Sequence, residues 1–386
     1  MSNAAREADA SGLRVEILTT PEQLTPLADR WSVMLREAVD HDALFFQSHP
    51  WIHQVAVMRQ QQSASTFRQH VATVWRGTNL VCIWPLGLFR GKGAWLARSL
   101  DDPFGQFAGA IFAADAPVNA CIAAVLSNLK TVADAIQVEA VVEGSALNTA
   151  LTKGGAQIAA VSQAVVIDLR PYSTMQAFAQ TINAKTRKNI RNLTNRLRRA
   201  HNIEHVVSVE TAAIGPLMNT TFASRVDWLS RYGRTSAAFQ DPAFRTLVSG
   251  LAQSHDLKPV GFRLQSGDVP ISSQWGFIHQ DRYYAYMSAM NEDFAEFSPG
   301  RLHLGMVIDF CFAHDVKVIE LMPPPADYKL AWSETTKTLN TLALPLSLRG
   351  RAALGFANII MPAMRRFSRT LPEGLRRGIV RRLNRN

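Results

Sequence analysis

Residues 296–306 read EFSPGRLHLGM: a Ser-Pro-Gly turn, an arginine, then an apolar run. A helix starting there presents unpaired backbone N–H groups and the positive end of its dipole, and a glycine lets an anion approach closely. Arg301 adds a formal charge. The tyrosine-rich stretch DRYYAYMSAM, just upstream, reads as a strand. A strand leading into such a turn can pair its edge with an extended, amide-bearing arm. An anion at one end and an amide arm along a strand describe coenzyme A, so Ser298, Pro299, Gly300 and Arg301 are candidate coenzyme contacts. The same residues also fit a capped helix punctuated by proline and glycine.

Attack of an amine or hydroxyl on a thioester needs a base, a donor for the oxyanion and a way to stabilise or protonate the leaving thiolate. Glu320 closes the apolar strand VKVIEL and is the candidate base. In PPADYKLAW, Asp327 is a second carboxylate, Tyr328 a donor to the thiolate, and Lys329 a cation for a phosphate or the acceptor. The alternative there is a turn with a packed tyrosine. Trp228 and Trp332 are candidate pocket walls, with core packing as the competing role. Residues 185–199 carry seven Lys or Arg residues, Arg187 among them, with Ile190, Leu193 and Leu197 marking a buried face. Such a helix presents either a plain solvated face or a site for an anionic coenzyme or acceptor. His201 and His205 lie one turn apart without a metalloprotease arrangement, so no metal site is expected.

These residues need a scaffold. LRVEIL (13–18) reads as a strand, and Leu24, Leu27, Trp31, Met34 and Leu35 follow at helical spacing. FFQSHPWIHQVAVM gives a turn and a second helix, with Ser48 placed to cap it. QHVATVW, LVCIWPLGLF and AWLARSL, joined by Gly-containing turns, predict an antiparallel meander. A helix near 117–131 and the strands IQVEAVV and AVVIDL follow. The second half repeats the order without repeating the letters. Helices within 173–201 and 211–231 precede the strands KPVGFRLQ, ISSQWGFIH and DRYYAYMSAM, then a helix over 300–314 and VKVIEL. The expected fold is a mixed α/β unit present twice. Its cuts are a leader over 1–12, an N-terminal unit over 13–170, a C-terminal unit over 171–345 and a tail over 346–386.

The 386 residues carry a net charge of +10, and nearly all of it lies after residue 348. Residues 349–386 hold ten arginines and one glutamate, so the remaining body is close to neutral. Leu375, Ile379, Val380 and Leu383 share one helical face, with Arg377, Arg381, Arg382 and Arg385 on the other. That pattern predicts an amphipathic segment lying on an anionic membrane; a solubilising tail or a docked helix are the alternatives. No apolar run is long enough to span a bilayer and no secretory signal stands at the start, so a cytoplasmic protein, peripheral on the inner membrane, is expected. Cys82, Cys121 and Cys311 show no CxxC spacing and predict neither zinc nor a disulfide framework. Basic residues do not interleave with aromatics, so no nucleic-acid partner is expected.

FFQSHPW, NAKTRKNIRNLTNRLRR, SRVDWLSRYG with FQDP, SPGRLHLGM and PPADYKLAW occur in an order that resembles the GNAT acyltransferases. The likeness is narrowest to the bacterial branch associated with cellulose and exopolysaccharide biosynthesis, itself similar to the Fem-type enzymes. It covers most of residues 40–344. It implies two tandem GNAT units, the first degenerate, and an acyl-CoA-dependent N- or O-acyltransferase acting on a cell-envelope lipid or glycan, such as a long-chain amino lipid. The absence of a long helical arm favours acyl-CoA over aminoacyl-tRNA as donor. The glycine-rich loop is reduced to Ser298-Pro299-Gly300, and Ser224 stands where relatives carry a histidine. Those departures leave a second expectation open, a non-catalytic partner in a membrane-bound envelope-synthesis complex.

Overall fold

The computed structural model describes residues 12–38, 45–91 and 93–360. They form two compact units, one from residues up to Val161 and from Leu339 onward, the other Ser162–Thr338.

The first unit contains β1 (Leu13–Leu18), α1 (Ala28–Glu37), α2 (His49–Arg59), β2 (Phe67–Arg76), β3 (Asn79–Gly91), β4 (Ala94–Ser99), β5 (Ile111–Phe112), α3 (Val118–Leu129), β6 (Ala135–Val142) and α4 (Ala146–Lys153). Strands β2 to β4 form the expected antiparallel meander, and β1 extends it by pairing antiparallel with β2. Helix α3 then crosses over so that β6 lies parallel to β4. Cys121, Ile122, Val125 and Leu129 of α3 fall at helical spacing and pack on the sheet with Trp84 and Leu86.

The second unit starts within β7 (Gln157–Asp168). It continues through α5 (Met175–Ala179), α6 (Ala184–Ala200), β8 (Ile203–Ser208), α7 (Thr211–Arg231), α8 (Ala237–Gln240), α9 (Ala243–Ala252), β9 (Pro259–Ser266), β10 (Val269–His279), β11 (Arg282–Met290), α10 (Pro299–Ala313), β12 (Val318–Glu320) and α11 (Asp327–Leu330). β8 to β11 are antiparallel neighbours. β12 then runs parallel to β11 and antiparallel to β7. α10 is apolar nearly all round because Leu302, Leu304, Val307, Ile308 and Cys311 are all buried. β8 is missing from the sequence reading because IEHVVS mixes polar and apolar positions and pairs on one side only.

The last strand, β13 (Thr336–Pro345), pairs antiparallel with β6. Each half of the sequence therefore contributes its final strand to the other unit's sheet, and pairing overrides the order in the chain. α12 (Leu348–Gly355) follows, capped by Ser347, whose hydroxyl also donates to Asp134 at 2.8 Å. Leu354 is buried against Leu96, Ala135 and Ala343. The start of the segment assigned to a tail is thus a docked helix. Residues 1–11 of the expected leader and 361–386 of the tail lie outside the described residues. Among the described residues no helix is long and apolar enough to cross a membrane. The three cysteines are buried and free.

Candidate active site

The parallel pairing of β11 with β12 covers Arg282, Tyr283 and Tyr284 and then stops. From Ala285 to Met290 the β12-side edge of β11 has no strand partner among the described residues, so its N–H and C=O groups are open to a ligand. That edge leads through a 3-10 turn, Glu292–Phe297, to the start of α10. Ser298 adopts the left-handed conformation (φ 50°) and makes no side-chain cap, and Pro299 has no N–H. The Gly300 amide is left in an uncapped first turn at the positive end of a fifteen-residue helix. A Cβ on Gly300 would sit 3.6 Å from the Tyr328 ring, so the tyrosine stands directly over the helix start.

Tyr328 is hydrogen-bonded by the Ser288 hydroxyl of β11 and lies near Arg225 of α7. Burial raises its hydroxyl above the ordinary tyrosine range, which keeps the proton on it. Trp332 donates its indole N–H to the Arg301 carbonyl at 2.9 Å, and its ring occupies the space a Cβ on Gly305 would need. Arg301 is half-buried, with its Nε enclosed and unpartnered. The sequence-selected Ser298, Pro299, Gly300, Arg301, Tyr328 and Trp332 therefore converge on one end of α10, with Trp332 acting as core wall.

On the α7 side of the same sheet lies a cleft open to solvent, with a volume of about 230 Å³ and lined by Ser224, Asp227, Trp228, Arg263, Ser273 and Glu292 among others. Ala289 to Glu292 border it, so the cleft meets the chain that leads to α10. Trp228 carries the Arg225 and Arg234 guanidiniums over its ring, at 4.4 and 4.9 Å. Glu292 pairs with Arg231 and accepts from the Tyr232 hydroxyl, contacts that hold its carboxyl below the usual range. Asp227 has no cationic partner among the described residues.

The remaining candidates lie elsewhere. Glu320 is fully enclosed, between Arg282 at 2.9 Å and Lys337 at 2.6 Å. No acceptor amine can reach it, so the structure gives this carboxylate to the fold rather than to the reaction. Lys329 is also buried, and its ammonium donates to the carbonyls of Met322 (2.7 Å) and Pro324 (2.9 Å), strapping the turn after β12 instead of meeting a phosphate. Burial lowers its pKa to about 8. Asp327 is exposed at the start of α11. Arg187 donates to the carbonyls of Ala179 and Gln180 and thereby closes α5. The rest of the basic face of α6 is exposed, with Lys185, Lys188, Arg191, Arg198 and Arg199 opposite the buried Leu193 and Leu197.

Sequence reasoning missed Ser288, Arg225 and Asp227. Ser288 carries no signal beyond alternation in a strand, and Arg225 and Asp227 are visible only as a charged stripe flanking Trp228. It also missed His303, a buried partner of Ser272 (Oγ to Nδ1, 2.7 Å). Burial, then nearby His205, lowers His303 to about 3, so its ring is neutral and acts as a hydrogen-bonding strut. Among the described residues no group of three or more His, Cys, Asp or Glu side chains is placed to hold a metal.

Residues 184–330 match the family model described as "Acetyltransferase (GNAT) domain". No curated protein sequence matches the chain. Among solved structures, FemX superposes with a TM-score of 0.54 at 10% identity, covering 81% of this chain and 95% of that one. L-PGS from Bacillus licheniformis gives 0.53 at 11% identity, covering 93% and 99%. A tandem GNAT protein from the clavulanic acid biosynthesis pathway gives 0.50 at 10% identity, covering 86% and 99%. At such identities the likeness is one of fold: two mixed α/β units of GNAT type in tandem.

Proposed function

We propose that the second unit transfers an acyl group from a coenzyme A thioester to an amine or hydroxyl. The observation that carries this reading is the short β11–β12 pair, which opens a strand edge onto an uncapped helix start with Tyr328 standing over it. The pantetheine arm pairs with the β11 edge, and the pyrophosphate sits on the Gly300 turn beside Arg301. In the cleft the acceptor's nucleophile attacks the thioester carbonyl while Asp227 takes its proton. The C–S bond breaks, and Tyr328 gives its proton to the thiolate. Asp327 and Lys329 have no part in these steps. The resemblance to the envelope-associated branch, together with a fold neighbour described as the C-terminal domain of a "Putative Lysylphosphatidylglycerol Synthetase" from Agrobacterium fabrum, favours an envelope lipid or glycan as acceptor. The ten arginines after residue 348 favour work at the cytoplasmic face of an anionic membrane.

Calorimetric titration of the full chain with coenzyme A tests the donor. Arg301→Glu is expected to weaken binding at least tenfold with an unchanged unfolding midpoint; equal affinity in the variant would remove the donor site from α10. Glu320→Gln separates fold from reaction in the same protein. Breaking a buried, doubly paired carboxylate costs about 3–5 kcal/mol, read by urea unfolding, whereas turnover per folded molecule should hold.

A further inference from the structure

The lining of the α7-side cleft is balanced in charge, Arg231 and Arg263 against Asp227 and Glu292, and two further arginines stacked on its Trp228 wall tip the surroundings positive. Arg263 stands on its floor, opposite Ser273 in the strand register. Arg225 and Arg234 stack on Trp228 in its wall. None of the three has a carboxylate within ion-pair distance among the described residues. Arg231 shows the contrast, since Glu292 already pairs with it. Asp227 is thus the cleft's free carboxylate, facing an excess of guanidinium. A guanidinium presents a planar fork of N–H groups matched to carboxylate and phosphate oxygens. The hydroxyls of Ser224 and Ser273 add neutral donors beside it.

We propose that the acceptor carries an oxyanion beside its nucleophile, its amine or hydroxyl directed to Asp227 and a neighbouring carboxylate or phosphate held by Arg263, with Arg225 and Arg234 flanking. This rests on the acyl-transfer reading and narrows its acceptor to molecules that carry both groups on one small head. An amino acid, a phosphorylated amino alcohol and an amine-bearing phospholipid head share that chemistry.

Binding to the full-length protein tests it with three probes. Glycine and phosphoethanolamine are titrated by calorimetry, with ethanolamine as the partner lacking an oxyanion. Phosphatidylcholine vesicles, with and without phosphatidylethanolamine, are assayed by co-sedimentation. At least one probe that joins an amine to an oxyanion should bind, and where that probe is soluble it should bind tenfold or more tighter than ethanolamine. Arg263→Gln should remove that advantage, and Arg263→Lys should recover part of it. Binding of glycine or phosphoethanolamine identifies a soluble acceptor; binding confined to the phosphatidylethanolamine vesicles identifies a lipid head. Either outcome supports the proposal. It is overturned if Arg263→Gln changes none of the three probes by more than twofold, or if ethanolamine itself binds, and as tightly as the better bound of glycine and phosphoethanolamine. Coenzyme A is titrated into the same proteins as a separate readout. Unchanged coenzyme affinity in Arg263→Gln marks an intact donor site, whereas a wild-type protein that binds no coenzyme A fails the acyl-transfer reading itself.

Discussion

Both units place a parallel strand pair beside a crossover helix, and in both the pairing lasts only two or three residues before the strands diverge. In the first unit the gap is filled. The segment 100–110 runs into it with Phe104 and Phe107 fully buried, and Ala108 bridges to Val141 of β6. Side chains from the FFQSHPWIHQVAVMR stretch fasten it: Gln47 to the Phe107 carbonyl, Trp51 to Asp101 and Arg59 to the Leu100 carbonyl, each at 2.8 Å. In the second unit the corresponding gap holds Tyr328 and an open strand edge. One geometry is thus filled as core in one unit and left as an open strand edge in the other, where we propose that the donor binds. In the first unit this groove is part of the core.

Phe104→Ala should have the largest effect on stability. Removing a buried ring from the filled gap costs about 3–5 kcal/mol, measurable by urea unfolding and by faster hydrogen exchange of amides 100–110. Affinity of the second unit for coenzyme A should stay within twofold. A large loss of coenzyme binding would break the division of labour between the two gaps.

Asp101 gives the next effect, through pH. Burial, its largest influence, raises this carboxyl from 3.8 to about 7, against the opposing Trp51 hydrogen bond. Below about pH 4 folded and unfolded chains both hold the proton. Between about pH 4 and 7 the folded chain keeps it and the unfolded chain has lost it, so stability falls as pH rises, by up to about 4 kcal/mol, and is flat above. Asp101→Asn keeps an acceptor for Trp51 and should abolish that slope. Denaturation midpoints across a pH series check it, and parallel slopes in the two proteins would refute the assignment.

The two three-strand meanders and the helix that follows the Ser-Pro-Gly turn were legible from alternation, turn glycines and helical spacing, whereas the edge strand β8 was not. The convergence of Ser298 to Arg301 with Tyr328 followed from motif order. Exchange of the last strands was not legible, because local pattern says nothing about which of two similar sheets a strand joins. The fate of the charged candidates was hidden for a related reason. Glu320 ends an apolar strand whether it meets substrate or two cations, and only the side chains of Arg282 and Lys337, distant in sequence, distinguish the cases. Arg187 and Lys329 likewise spend their donors on carbonyls that no sequence motif announces.

Tyr328→Phe should have the smallest effect on stability and sharpens the comparison most. The ring still covers Gly300 and still fills its part of the gap, so only the hydrogen bond with Ser288 is lost, about 1 kcal/mol or less. If the second gap were merely a looser version of the first, nothing else would change. In a channel where this hydroxyl protonates the thiolate, turnover with an acyl-CoA should fall about 100-fold, while coenzyme A affinity stays within a few fold because the strand edge and the helix start are intact. The effect should shrink with thioesters whose thiols are more acidic, since a thiolate that leaves unaided needs less from a proton donor. Thiol release measured across such a donor series, beside a thermal unfolding curve, tests both halves at once. Equal turnover in the two proteins would make Tyr328 a packing residue and the second gap a core element like the first.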